Sequence, residues 1–156
     1  MMVYVRVVAV SAALLSSCIV IARRFLVIFT VQGNSMIPTF RPGDRVLMLR
    51  QRGRALRSGR IIVIAEPHAE TGWHDLPALD DQIQGRRWSI KRVAALAGDP
   101  VPKGVGQGEA SVPCGHLVIL SDNPSGKDSR AFGFLPIEAV LGTVICGLPG
   151  RDTKTG

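Results

Sequence analysis

The sequence predicts a mostly β domain behind one N-terminal transmembrane helix. After residue 31, short runs rich in Val, Ile and Leu alternate with Gly and Pro clusters, and no long stretch has clean helical periodicity. Before that point the chain is almost continuously apolar. We therefore expect an antiparallel or mixed β domain with closed or partly closed sheets, attached to a membrane anchor.

The anchor is predicted over residues 1–26. Residues 7–22 carry no charge, and apolar sequence resumes after Arg23 and Arg24. A membrane helix needs about 20 apolar residues, and an Arg near its end can reach the headgroups. Because the apolar sequence continues past the small residues at 16–18, an uncleaved anchor in a phospholipid membrane is favoured over a removed signal peptide.

The β-rich domain is predicted over residues 27–150, with a loop insertion at 66–87 and a disordered tail at 151–156. The insertion lacks the apolar alternation of its neighbours and is acidic. The expected strands are Val27–Val31, Arg45–Leu49, Arg60–Ala65, Trp88–Ala94, His116–Ser121 and Leu141–Cys146.

The formal net charge of +7 excludes few partners by itself. The Arg residues cluster between 41 and 60, soon after the apolar segment, which favours lipid headgroups as their neighbours. No helix-turn-helix, zinc-finger or aromatic-rich RNA motif accompanies them, so we expect no nucleic-acid partner.

The sequence gives only weak evidence for a metal site or a disulfide. The insertion contains His68, Glu70, His74 and Asp75, but histidines in a polar loop are more often solvated than bound to metal, so we expect no metal and no other cofactor. Two interpretations of Cys114 and Cys146 stay open: a disulfide on an oxidising side, or two small buried thiols.

Ser35 is a candidate nucleophile. Pro38 fixes the backbone and disfavours helix at Ile37, so Ser35 is expected on a turning or extended segment that exposes its hydroxyl. A hydroxyl is a poor nucleophile until a base removes its proton. A base must therefore be found elsewhere in the chain.

Lys91 is the better candidate for that base. The three histidines, His68, His74 and His116, lie in the acidic loop or in a turn. Lys91 has apolar flanks, and burial would lower the pKa of its ammonium so that a neutral amine can accept the serine proton. The flanks alone leave open an ordinary surface lysine in a salt bridge.

Three motifs resemble those of the type I signal peptidase family, in a short or specialised form. They are Ser35-Met36-Ile37-Pro38-Thr39 with Pro42-Gly43-Asp44, then Lys91-Arg92-Val93 with Gly98-Asp99, then Ser121-Asp122-Asn123 with Asp128-Ser129-Arg130 and Gly133. The resemblance implies a signal-peptidase-like fold with Ser35 as nucleophile and Lys91 as general base. It also implies that Asp128, Arg92 and Arg130 form a bracing charge cluster.

The chain departs from the family pattern at two supporting positions. Gly33 stands where a hydroxyl or glycine is usual, so the oxyanion hole would rely mainly on the Ser35 N–H. The third motif begins with Ser121 in place of glycine and is one residue short. The serine that holds the lysine in the family is therefore either Ser125 or absent here.

The resemblance implies a membrane-bound serine endopeptidase that removes signal or leader peptides from exported precursor proteins. Its catalytic domain would lie on the outer face of the cytoplasmic membrane, although Arg23 and Arg24 after the span argue weakly for the opposite side. The alternatives are a catalytically inactive, membrane-tethered β module that binds peptides, and a repressor-type self-cleaving serine–lysine protease.

Overall fold

The computed structural model describes residues 11, 14–17, 25–51, 56–67, 73, 87–106 and 108–148. Seven strands are present: β1 Leu26–Thr30, β2 Arg45–Arg50, β3 Ile61–Ala65, β4 Trp88–Leu96, β5 His116–Leu120, β6 Leu135–Pro136 and β7 Val140–Leu148. A short helix α1, Ser129–Phe132, and a 3₁₀ turn, Ile137–Ala139, flank β6. The six predicted strands are confirmed to within two residues at each end, and the two-residue β6 was not predicted.

The strands form one antiparallel sheet in the order β1-β2-β7-β3-β4-β5-β6. The prediction of a mostly β domain is confirmed. The sequence left open an antiparallel or a mixed sheet, and the described sheet is antiparallel. Among the described strands β1 and β6 are the edges, and their pairing does not close the sheet into a barrel. The sheet is curled, as shown by residues of β1 and β4 that line the same groove although three strands lie between them in the sheet.

β3 lies at the centre of the core. Ile62 and Ile64 pack in one buried cluster with residues of β4, β5 and β7, while Val63 packs in a second cluster with residues of β2 and β7. Burial of both faces explains why this strand is a continuous apolar run. β4 alternates instead, and its register places Lys91 opposite the buried Ile62.

The N-terminal prediction falls mostly outside the described residues. Residues 11 and 14–17 are helical, and Leu14 and Leu15 are exposed. In the part of the chain that the structure describes, no helix combines the length and apolarity needed to cross a bilayer. Of the predicted insertion at 66–87, only Glu66, Pro67, Trp73 and Arg87 are described, and the tail at 151–156 lies outside the described residues.

Candidate active site

The segment that carries Ser35 is a turn held between β1 and β2. At its base the Val31 N–H donates to the Asp44 carbonyl at 2.7 Å and the Gly43 N–H donates to the Val31 carbonyl at 3.0 Å. Met36 is 1% exposed and anchors the turn in the interior, whereas Ser35 is half-buried. This geometry agrees with the prediction that Pro38 keeps the serine out of regular helix.

Lys91 lies in the interior of the sheet. Its side chain is 3% exposed, and it extends from the buried face of β4, next to Ile62. Desolvation by burial lowers the pKa of the Lys91 ammonium from its ordinary 10.5, although the negative charges of Asp128 and Glu66 oppose that shift. The surface-lysine alternative is therefore wrong, and the amine can be neutral at a lower pH than a solvated lysine.

Ser35 and Lys91 line the same groove. The groove has a volume of about 1310 Å³, which exceeds the roughly 300–1,000 Å³ of small-molecule pockets. One side is formed by residues 27–36, which run from β1 through the nucleophile turn, and the other includes Glu66 and residues 87–91. Such a long groove beside an edge strand suits an extended peptide better than a compact ligand.

The Ser35 hydroxyl and the Lys91 amine have no hydrogen-bond partner among the described residues. Catalytic hydrogen bonds are often long in an unliganded site and tighten when substrate binds. His116, the one histidine that the structure describes, begins β5 opposite Pro136 and does not line the groove. Lys127 also lines the groove but is exposed, whereas Lys91 is buried and its pKa is lowered, so Lys91 is the better base for Ser35.

Asp122 ties the nucleophile segment to β4. Its carboxylate accepts from Arg92 Nε at 2.8 Å and from Arg92 Nη2 at 2.6 Å, and it also accepts from the Thr39 hydroxyl. The hydrogen bonds from Arg92, with the one from Thr39, lower the pKa of the Asp122 carboxyl. Arg92 directly follows Lys91 in β4, and Thr39 belongs to the turn that carries Ser35. The hydrogen bonds to Asp122 therefore hold β4 beside that turn.

Asn123 makes a second tie to the same turn. Its backbone N–H donates to the Ser35 carbonyl at 3.0 Å, and its side-chain amide donates to the Asn34 carbonyl at 3.0 Å. Neither Asp122 nor Asn123 was predicted as a site residue. Both lie in the third motif, so the signal was present as two polar residues between a buried strand and a turn.

A family model described as "Signal peptidase, peptidase S26" matches residues 2–105 and 102–148. The chain belongs to the signal peptidase family. This confirms the resemblance drawn from the three motifs, and it supports a peptidase activity of the signal peptidase type. A search of curated proteins gives no match to the chain.

The charge cluster expected from the signal peptidase pattern divides into two separate pairs. Asp128 is 1% exposed and accepts from Arg130 Nε at 2.9 Å and Nη2 at 2.6 Å. Arg92 pairs with Asp122 instead, so the expectation of one cluster of Asp128, Arg92 and Arg130 is corrected. Burial raises the pKa of the Asp128 carboxyl, but the hydrogen bonds from Arg130 and the Ser121 N–H outweigh it, and the pKa is lowered.

The two other supporting positions of the signal peptidase pattern are differently placed. Gly33 has a φ of 78°, which favours glycine, and a Cβ there would meet open space. It lines the groove but brings no side-chain donor. Ser125 is exposed, its described hydrogen bond is made by its backbone N–H to Asn123, and it does not line the groove.

Neither Cys114 nor Cys146 lines the groove. Cys114 and Cys146 are free and exposed, so neither the disulfide nor the pair of buried thiols is present. Residues His68, Glu70, His74 and Asp75 lie outside the described part of the chain. Within the described part, no cluster of three or more His, Cys, Asp or Glu has the arrangement of a metal site.

Proposed function

We propose that this chain is a serine endopeptidase that removes signal or leader peptides from exported precursor proteins, with Ser35 and Lys91 as its catalytic dyad. The observation that carries the proposal is a buried lysine of lowered pKa in the same groove as a half-buried serine. Family membership supports the peptidase class. The assignment of the two residues rests on their chemistry and on their common groove.

The reaction begins when Ser35 Oγ attacks the carbonyl carbon of the scissile peptide bond. Lys91 Nζ accepts the hydroxyl proton, and the oxyanion that forms is stabilised by the Ser35 N–H, which has no acceptor among the described residues. Lys91 then gives the proton to the leaving amine as the C–N bond breaks. Water attacks the resulting ester with Lys91 again as base, and this releases the shortened chain and restores Ser35.

The substrate binds as an extended strand beside β1. This strand is an edge of the described sheet and lines the groove, so its free backbone groups are available to a peptide. Alternate side chains of an extended peptide face the same way, so the first and third residues before the scissile bond meet the enzyme together. We propose that both positions accept small side chains.

The cellular part of the proposal is a single-pass anchor at residues 1–26 in the cytoplasmic membrane, with the catalytic domain on the outer face. The apolar run at 7–22 supports the anchor. N-terminal sequencing of the membrane form should give Met1 or Met2, and a start near residue 19 would contradict an uncleaved anchor. Protease protection of tagged termini tests the orientation.

Cleavage of a purified precursor by the full chain in detergent tests the dyad. Ser35→Ala and Lys91→Ala should each abolish cleavage, and Lys91→Arg should not restore it, because a guanidinium stays protonated. Ser111→Ala and Lys103→Ala, which change an exposed serine and an exposed lysine, are matched controls and should cleave normally. More than a tenth of wild-type activity in Ser35→Ala would identify another nucleophile, and no cleavage by the wild type would favour an inactive peptide-binding module.

A further inference from the structure

Ser121 directly follows β5, and β5 pairs with β4, the strand that carries Lys91. In the pairing of β4 with β5, Arg92 is opposite Leu120 and Val93 is opposite Ile119. The same register, continued by one residue, places Ser121 opposite Lys91. Opposite residues of an antiparallel pair point to the same face, with Cβ atoms about 4.5–5.5 Å apart. A serine hydroxyl at this position is within reach of a lysine amine.

The Ser121 side chain is buried and has unused hydrogen-bonding capacity. Its residue is 9% exposed, and its backbone N–H is fixed by the Asp128 carboxylate at 2.8 Å. The hydroxyl donates to the Lys127 carbonyl at 3.4 Å, which is a long contact. A hydroxyl has one donor and two acceptor lone pairs, so Ser121 Oγ keeps both lone pairs for a neighbouring donor. The Lys91 amine is such a donor on the same face.

Gly126 leaves the space that the Ser121 side chain occupies. A Cβ built at Gly126 would lie 2.3 Å from Ser121 Oγ and 2.5 Å from Ser121 Cβ. The φ of Gly126 is outside the left-handed region, so the backbone itself does not require glycine there. The two positions are therefore complementary, since a side chain at 121 requires the absence of one at 126.

We propose that Ser121 Oγ accepts a hydrogen bond from Lys91 Nζ when substrate binds, and so positions the amine for proton transfer with Ser35. A neutral amine has two N–H groups and one lone pair. When one N–H is held by Ser121, the lone pair is free to point toward the Ser35 hydroxyl. Ser121 is thus a positioning residue that acts through Lys91, in the role that the resemblance left open between Ser125 and no residue. The inference rests on the proposed function of Ser35 and Lys91.

The first test is Ser121→Ala in the full chain in detergent, with steady-state cleavage of a precursor peptide as the readout. We expect kcat to fall about 10- to 100-fold, the range that corresponds to one hydrogen bond to a charged group, because Lys91 becomes an ammonium as it accepts the Ser35 proton. KM should stay within about twofold of wild type, because the hydroxyl does not line the groove. Ser111→Ala, which changes an exposed serine, is the control for unchanged kcat.

The second test exchanges the two positions. In Ser121→Gly/Gly126→Ser the side chain at 126 begins where the Ser121 hydroxyl now lies, so a hydroxyl is returned to Lys91 from another point of the chain. We expect this double variant to recover at least tenfold in kcat over Ser121→Gly. The matched variant Ser121→Gly/Gly126→Ala fills the same space without a hydroxyl and should stay as slow as Ser121→Gly. Thermal unfolding of each variant separates loss of folding from loss of positioning.

Three results would overturn the inference: wild-type kcat in a folded Ser121→Ala, equal kcat in the two double variants, or a fall in kcat for Ser125→Ala but not for Ser121→Ala. Each of these leaves the proposed function standing if Ser35→Ala and Lys91→Ala are inactive. Conversely, full activity in those two dyad variants would refute the proposed function whatever Ser121 does.

Discussion

The tie between Asp122, Arg92 and Thr39 gives a quantitative prediction. Asp122→Asn keeps the side-chain volume but replaces one carboxylate oxygen with an amide nitrogen. The remaining oxygen can still accept from Arg92 Nε, but the amide faces the Arg92 Nη2 donor and loses that bond. The Thr39 hydroxyl can turn to accept from the amide, so that bond is kept without its charge. The change should therefore loosen the nucleophile turn from β4 without disturbing the core.

The magnitude follows from the exposure of the pair. Hydrogen bonds to charged groups contribute about 1.5–3 kcal/mol, but the Arg92 side chain is 35% exposed and that of Asp122 is 12% exposed, so solvent screening reduces this to about 1 kcal/mol each. The lost bond from Arg92 and the lost charge on the Thr39 bond together give about 2 kcal/mol. For a chain of this size the midpoint of thermal unfolding should fall by about 4–8 °C.

Differential scanning fluorimetry and steady-state kinetics check this prediction together. We expect the lower melting temperature to accompany a roughly tenfold fall in kcat, because Ser35 and Lys91 are no longer held in their relative positions. A tenfold fall corresponds to a rise of about 1.4 kcal/mol in the activation free energy. Glu138→Gln removes one negative charge from an exposed side chain and is the charge-matched control. An Asp122→Asn protein with wild-type melting temperature and wild-type kcat would refute the tie.

Three further predictions concern the interior and the substrate. Lys91→Met should raise stability near neutral pH. The pKa of Lys91 in the folded protein is below its unfolded value of 10.5, so burial of the charged amine destabilises the fold fully below the folded pKa and no longer does so as the pH reaches 10.5. Denaturation at several pH values should therefore show that the gain in unfolding free energy from Lys91→Met shrinks over that range. Gly142→Ala should destabilise by about 1–3 kcal/mol, since its Cβ would lie 2.2 Å from the Leu49 carbonyl oxygen. Urea unfolding with Ser111→Ala, a change at an exposed position, as the comparison would expose an error if the two variants lost equal stability. A precursor with Phe before the scissile bond should be cleaved about 100-fold less efficiently than one with Ala, about 2.7 kcal/mol, and equal values of kcat/KM would rule out small pockets.

The sequence was sufficient for features that depend on short segments. Apolar runs bounded by Gly and Pro located six strands, because each run buries at least one face of the sheet. The apolar flanks of Lys91 alone left a surface lysine open, and it was the resemblance to the signal peptidase motif that favoured the buried lysine found in the structure. The two-residue β6 and the four-residue α1 were missed because elements so short have no periodicity to detect.

Features that depend on strand register were not predictable. Arg92 was assigned to Asp128, but the pairing of β4 with β5 brings Asp122 to it instead. Whether Ser125 or no residue holds the lysine was left open for the same reason, since local spacing in the third motif does not show which hydroxyl lies beside Lys91; in the structure Ser125 is exposed and does not line the groove. Predictions for the anchor and for the insertion at 66–87 stay predictions.

The position of β7 has a consequence for how the protein becomes active. Within the described sheet, β7 lies between β2 and β3 and pairs with both. On one side it pairs with the β1–β2 hairpin, whose connecting turn carries Ser35. On the other side it pairs with β3, the neighbour of β4, and β4 carries Lys91. Among the described strands it is also the last in chain order, so it is synthesised after the other six. A nascent chain can form the β1–β2 hairpin and the β3–β5 meander early. The two halves cannot pair into one sheet until residues 140–148 have emerged from the ribosome. Catalytic competence should therefore arise late in biosynthesis, and a fragment ending before β7 should gain activity when a separate peptide of that strand is supplied.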